Sequence, residues 1–196
     1  MTVKEIALYY KAKQADKYKQ QADTYESVLT GEVTEFVIPD GWDKIRRGAF
    51  NSCYKLVSVT IPNSVTSIDV TAFNSCLSLK SINIPVGVTE IKDNAFYNCK
   101  ALASMTMPNT VTTIGKSAFS YCSSLTNVTL GNGFNCNSLD LSASTKYSVD
   151  TLATMLTALA DRTGQTAYTF TLGSTNLAKL SDEQKAIATD KNWTLA

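Results

Sequence analysis

No histidine occurs anywhere in the 196 residues. Serine–histidine and cysteine–histidine catalytic arrangements are therefore excluded. A zinc site loses its usual nitrogen donor, and no Cys-x-x-Cys pair is present to replace it. Charge of one sign is lacking too. The 18 Lys+Arg against 17 Asp+Glu leave a net charge of +1, which points to neither a nucleic acid nor an anionic membrane as partner. No apolar run approaches the roughly 18 residues of a membrane span, so membrane insertion is not expected. The N-terminal stretch "MTVKEIALYYKAKQADKYKQQ" is charged from Lys4 onward. It lacks the apolar core of about 7–15 residues that marks a secretory signal, and none is expected there. Glycine-rich phosphate loops are missing, since "GNGFN" reads as a turn. Asp40/Asp43 and Asp182/Glu183 sit in a turn and in the first turn of a helix, where acidic residues are ordinary. No catalytic residue, cofactor or metal is expected.

What the chain does have is a repeat. Phe50, Phe73, Phe96 and Phe119 stand 23 residues apart, and so do Cys53, Cys76, Cys99 and Cys122. The shared frame is I-x3-A-F-x2-C-x2-L-x2-(V/I/M)-x-(I/M/L)-(P/G)-x2-(V/F). Its apolar columns are Ile45/Ile68/Ile91/Ile114, the Phe and Cys columns, Leu56/Leu79/Leu102/Leu125, and Trp42/Val65/Val88/Val111/Phe134. Phe36 and Ile38 place "TEFVIPDGW" as a first rung. Spacing of this kind signals a solenoid of the leucine-rich type, in which one rung cannot bury its apolar face alone.

Within each rung the alternation L-x-x-V-x-I predicts a half-buried strand. The prolines, at 39, 62, 85 and 108, predict strand ends or turns because they lack an N–H. V-T-x-I predicts a second short extended piece, and A-F-x-x-C one or two helical turns. Copies stacked about 4.8 Å apart then meet residue on residue. Neighbouring Cys Cα atoms would come within disulfide range, but side chains stacked in parallel point the same way. The four frame cysteines therefore read as buried free thiols, and Cys136, off the frame, as the most exposed.

The string "AFxxCxxLxxVxIPxxVxxI" resembles the BspA-type bacterial leucine-rich repeat over roughly residues 33–136. The resemblance implies an α/β repeat fold: a right-handed solenoid with a parallel sheet on one face. It also implies a surface or adhesion protein, phage- or prophage-encoded in some members. Two functions follow. One is a non-catalytic recognition module for a protein or glycan. The other is a structural or assembly component, such as a phage-tail or virion protein attached by its N-terminus. A cytoplasmic pool, a virion and a cell surface all remain open as locations.

The ends set the organisation as 1–30, 31–136 and 137–196. Thr2-Val3-Lys4-Glu5 is a capping box, and no Gly or Pro follows until Gly31. A helix of about 28 residues would be about 42 Å long, wider than the end of such a solenoid. It either caps the first rung, or projects to self-associate through Val3, Ile6 and Tyr10. A second patch, Tyr18, Ala22, Tyr25 and Leu29, would pack on Phe36 and Trp42. After Gly131 the frame stops: Asn137 stands where Ile is due. The segment 148–164 predicts a helix capped by Ser148 and stopped by Gly164. Asn176 is placed to bond turn amides, Ser181–Gln184 predicts a capping box, and "NWTLA" an edge strand.

The outward strand positions are the candidate ligand-binding residues: Glu35, Ser58, Thr60, Lys80, Ser81, Asn83, Ser104, Thr106, Asn127 and Thr129. They include no aromatic and no Arg, the usual anchors of a hot spot. Lys44, Arg46, Arg47 and Lys55 form a small basic cluster on the first full rung.

Overall fold

The computed structural model describes Val28, Thr30 and residues 34–196. The chain coils through rungs whose first side is a short strand: β1 (Glu35–Val37), β3 (Ser58–Thr60), β5 (Ser81–Asn83), β7 (Ser104–Met107) and β9 (Asn127–Leu130). The second side is a two-residue strand: β2 (Lys44–Ile45), β4 (Ser67–Ile68), β6 (Glu90–Ile91) and β8 (Thr113–Ile114). Every pairing among these nine strands is parallel, and each partner lies 23 residues on, as in Glu35↔Ser58, Ser81↔Ser104 and Ile68↔Ile91. The sequence period is the sheet register. A proline carbonyl closes the corner between the sides by accepting from the N–H three residues later, as Pro62 does from Val65 at 3.1 Å. Sheet thus covers two sides of the stack, where the sequence reading placed it on one face.

The A-F-x-x-C segment is the second departure. It is a chain of turns and not a helix. Two columns in it are left-handed: Gly48, Thr71, Asn94 and Ser117 at φ 56–64°, and Ser52, Ser75, Asn98 and Tyr121 at φ 58–63°. For residues other than glycine this conformation costs roughly 1–2 kcal/mol each. Hydrogen bonding explains why it persists. Alternate N–H groups close local turns, as Ala49 to Arg46 O and Asn51 to Gly48 O, while the intervening ones point along the stack. Phe50, Phe73 and Phe96 donate to Ala72, Ala95 and Ala118 O at 2.7, 2.7 and 2.9 Å. A helix would turn those donors inward and break this third inter-rung ladder.

Inside, the phenyl rings stack nearly parallel, with centroids 5.0, 5.2 and 5.3 Å apart from Phe50 to Phe119. The cysteines form the neighbouring column, each buried and free. Cys76, Cys99 and Cys122 Sγ donate to the carbonyls of Phe50, Phe73 and Phe96 at 3.1, 3.2 and 3.2 Å. The thiol is thus a satisfied polar group as well as a small apolar one. Cys136, expected to be the exposed one, is 0% exposed. The chain folds back beneath the last rung and closes over it, with Ser138 O accepting from the Cys136 thiol at 3.3 Å.

The C-terminal segment forms a second parallel sheet, ordered β10 (Ser138–Asp140), β11 (Tyr168–Thr171), β12 (Trp193–Leu195). Helix α1 (Val149–Ala158) begins as expected, with Ser148 Oγ accepting from Thr151 N. It ends at Ala158 and not near Gly164, because Leu159 turns extended and pairs with Phe134. Lys191 Nζ donates to the carbonyls of Thr157 and Leu159 at 2.7 and 2.9 Å, a cation at the helix C-terminus. The short α2 (Ser174–Leu177) carries Asn176, and α3 (Asp182–Thr189) opens with the Ser181–Gln184 capping box. Asn176 is fully buried, but its Nδ2 donates to the carbonyls of Ser144 and Leu172, so it bonds turn carbonyls and not amides. Tyr147 and Ser144 seal the last rung. Ser144 Oγ donates to Leu125 O at 2.6 Å.

At the other end Val28 is helical and 2% exposed. The N-terminal capping box and the Val3, Ile6 and Tyr10 patch lie outside the described residues, as do Tyr18, Ala22, Tyr25 and Leu29.

Candidate binding faces

The pleat that buries Phe36, Val59, Ile82, Met105 and Val128 turns their neighbours outward. Strand register arranges those neighbours in two columns. Glu35 stands beside Ser58 in one, on the two-stranded sheet of β1 and β3, and Ser81, Ser104 and Asn127 line up on the separate three-stranded sheet of β5, β7 and β9. Val37 stands beside Thr60 in the other, and Asn83, Thr106 and Thr129 follow. All are exposed except Ser58 and Ser104, which are half-buried. Lys80 precedes β5, its N–H bonded to Val57 O at 3.0 Å and its side chain exposed. The expected residues therefore form one surface of hydroxyls and amides with a single carboxylate and a single ammonium. Val37, 69% exposed, adds an apolar spot that the sequence reading left out of the site.

The second sheet side differs in chemistry. Lys92 Nζ bridges Asp69 of the preceding rung at 2.8 Å, with Glu90 at 3.7 Å. The hydrogen bond that Lys92 donates to Asp69, with that carboxylate's charge, raises the Lys92 ammonium above its usual value. Lys92 is open to water while Asp69 is half-buried, and a pair at the surface contributes little to stability. Arg46, Arg47 and Lys55 are exposed and Lys44 half-buried, and among the described residues no acidic partner gathers them into a site.

Burial pushes the Cys53 thiol up to about 11 and Cys76 well above its ordinary value. Cys99 is raised first by its contact with Cys122 and then by burial. A thiol held protonated is a poor nucleophile. Asp161 and Glu183 move the other way: hydrogen bonds from Thr163 lower the first, and backbone N–H bonding lowers the second. Among the described residues no group of three or more Cys, Asp and Glu could hold a metal ion. None of their helices is long and apolar enough to cross a membrane.

The sequence reading missed a cleft of about 450 Å³ at the end of the stack. Its walls are residues 114–119 on one side and Ser138 and Asp140 of β10 on the other. Its signal in the sequence is the failure of the frame after Gly131. Exposed Tyr121, which meets Tyr97 edge-on at 5.0 Å, stands on the same side of the molecule's turn ladder.

Known proteins share the repeat fold. The T. pallidum leucine-rich repeat protein superposes with a TM-score of 0.52 over 83% of this chain and 85% of its own, at 23% identity, which establishes a common fold. A leucine-rich repeat protein of Bacteroides ovatus is 35% identical over 57% of this chain, with a TM-score of 0.48. A leucine-rich cell surface protein of Faecalibacterium prausnitzii is 33% identical over 50%, with a TM-score of 0.42. This chain spans 32% of the length of each of those two. No curated protein matches it. Residues 24–145 match the BspA type leucine rich repeat region in 6 copies, a longer span than the 33–136 read from the frame. The chain belongs to the BspA-type leucine-rich repeat family.

Proposed function

We propose that the chain is a non-catalytic recognition module that binds a protein or glycan on the face of β1, β3, β5, β7 and β9. The observation that carries this reading is the pair of outward columns. Glu35, Ser58, Ser81, Ser104 and Asn127, with Thr60, Asn83, Thr106 and Thr129, offer hydrogen-bonding groups at a strand repeat of about 4.8 Å. Those groups stand on a backbone bonded on three sides, so little conformational entropy is lost when they engage a ligand. Short hydroxyl and amide side chains suit a polar ligand, and Val37 supplies an apolar contact at one end. The absence of histidine and the protonated thiols support a binding rather than a catalytic use.

The test is the labelled full chain on an array of glycans and extracellular-matrix proteins. Ser81→Arg combined with Thr106→Arg should abolish whatever binding is found while leaving the melting temperature unchanged. Binding that survives both substitutions would refute this face as the site.

A further inference from the structure

Four backbone groups recur in every rung at the seam between the second strand and the turn. The carbonyls of Ile45, Ile68 and Ile91 accept from Asp69, Lys92 and Gly115 N–H at 2.8, 2.9 and 2.7 Å. Gly48, Thr71 and Asn94 N–H donate to Val70, Asp93 and Lys116 O at 3.1, 3.1 and 3.0 Å. Phe50, Phe73 and Phe96 N–H donate onward as described above. Ser52, Ser75 and Asn98 N–H donate to Asn74, Tyr97 and Ser120 O at 2.8 Å each. In the last rung the equivalent groups are Ile114 C=O and the N–H groups of Ser117, Phe119 and Tyr121. None of the four finds a partner among the described residues. The local turns of that rung are intact, with Ala118, Ser120 and Cys122 N–H bonded to Gly115, Ser117 and Phe119 O. The orphaned groups therefore keep the direction they have in earlier rungs, along the stack and towards the cleft whose wall is 114–119.

An edge of unpaired backbone groups is a template for pairing with an added chain segment. We propose that this cleft binds an extended peptide of a partner protein, which takes the place of the next rung through main-chain hydrogen bonds. The order of groups specifies the ligand: one N–H for Ile114, then alternate carbonyls for Ser117, Phe119 and Tyr121. The opposite wall favours a peptide over a free anion. Asp140 sits there, its Oδ1 accepting from Ser142 N and Oγ at 3.0 and 2.6 Å. That carboxylate repels an anion, whereas it can accept from the outward N–H groups of alternate residues in a peptide lying along the solenoid edge. Phe119 is 2% exposed, so inward side chains of the ligand must be small. Main-chain pairing sets affinity and the small pockets set choice of sequence. The site is separate from the open strand face.

The probe is the chain's own segment that completes the third rung. It is a synthetic peptide of residues 90–98, Glu-Ile-Lys-Asp-Asn-Ala-Phe-Tyr-Asn, and a second version has Ala in place of its Phe. In the ¹⁵N-labelled full chain, amide exchange at Ser117, Phe119 and Tyr121 should be at least tenfold faster than at Asn94, Phe96 and Asn98. Either peptide at about 1 mM, the weakest useful affinity, should slow exchange and shift resonances at those three amides. Ser138→Trp, an exposed position on the far wall, should remove the effect while preserving the spectrum elsewhere. Slow exchange in the peptide-free chain, or no shift with either peptide, would overturn the proposal. So would shifts confined to the open strand face. Concentration-dependent shifts without peptide would name a second copy as the occupant and overturn it equally.

Discussion

Phe96→Ala tests the stack at its middle. Phe96 is fully buried, with Phe73 5.2 Å away on one side and Phe119 5.3 Å on the other, both nearly parallel to it. Truncating a buried Phe costs about 3–5 kcal/mol, with the upper end reached where the void cannot collapse. Here collapse is opposed by backbone bonds on both flanks, Phe73 N to Ala95 O at 2.7 Å and Phe96 N to Ala118 O at 2.9 Å. The expected loss is about 4–5 kcal/mol. Phe119→Ala removes one ring pair instead of two and should cost about 1 kcal/mol less, the worth of one aromatic pair. Thr106→Ala, on the outward column, should stay within about 0.5 kcal/mol. Equilibrium urea denaturation with a shared slope measures all three. A Phe96→Ala loss within about 1 kcal/mol of Thr106→Ala would refute the buried ring stack.

All five thiols should resist labelling in the folded chain and react together in denaturant, Cys136 included. The folded Cys53 value of about 11 exceeds the ordinary 9.0, so the proton favours the fold. That contribution is complete below about pH 9 and is lost as pH rises through 11, which a pH series of melting curves checks. Asn176→Ala should cost about 1–3 kcal/mol, because the carbonyls of Ser144 and Leu172 lose a buried donor. Gly87→Ala should cost a similar amount, about 1–3 kcal/mol, since its Cβ would collide with the backbone oxygens of Asn63 and Val65. An unchanged melting temperature in either variant would show that the inter-rung packing there is loose.

The rung was legible because one number sets everything in it. A 23-residue period in Phe and Cys is the same 23 that separates Glu35 from Ser58 and Ile68 from Ile91. Buried and outward strand positions followed from alternation alone. The turn segment was not legible, because Ser52, Ser75 and Tyr121 have no local preference for left-handed backbone. They adopt it to aim N–H groups at the next rung, a tertiary demand that no window of sequence contains. Cys136 was misplaced for a related reason. Position off the frame says nothing about what the chain does next, and here it folds back over that thiol. The open end of the ladder is further from reach, since it consists of main-chain atoms common to every residue. Only the count of rungs reveals it.

The constant interval also governs how the chain folds. Contacts between rungs join residues about 23 apart in a chain of 196, a relative contact order of about 0.12. That value is closer to mixed α/β domains than to sandwiches and barrels, although nearly all the regular structure in the rungs is strand. Each loop to be closed has the same length and the same entropic cost, so no rung is a privileged nucleus. Refolding should begin at whichever rung is locally most stable and advance in both directions. A kinetic map by pulsed amide exchange would then show a gradient spreading outward from one rung, with the third ladder forming behind it.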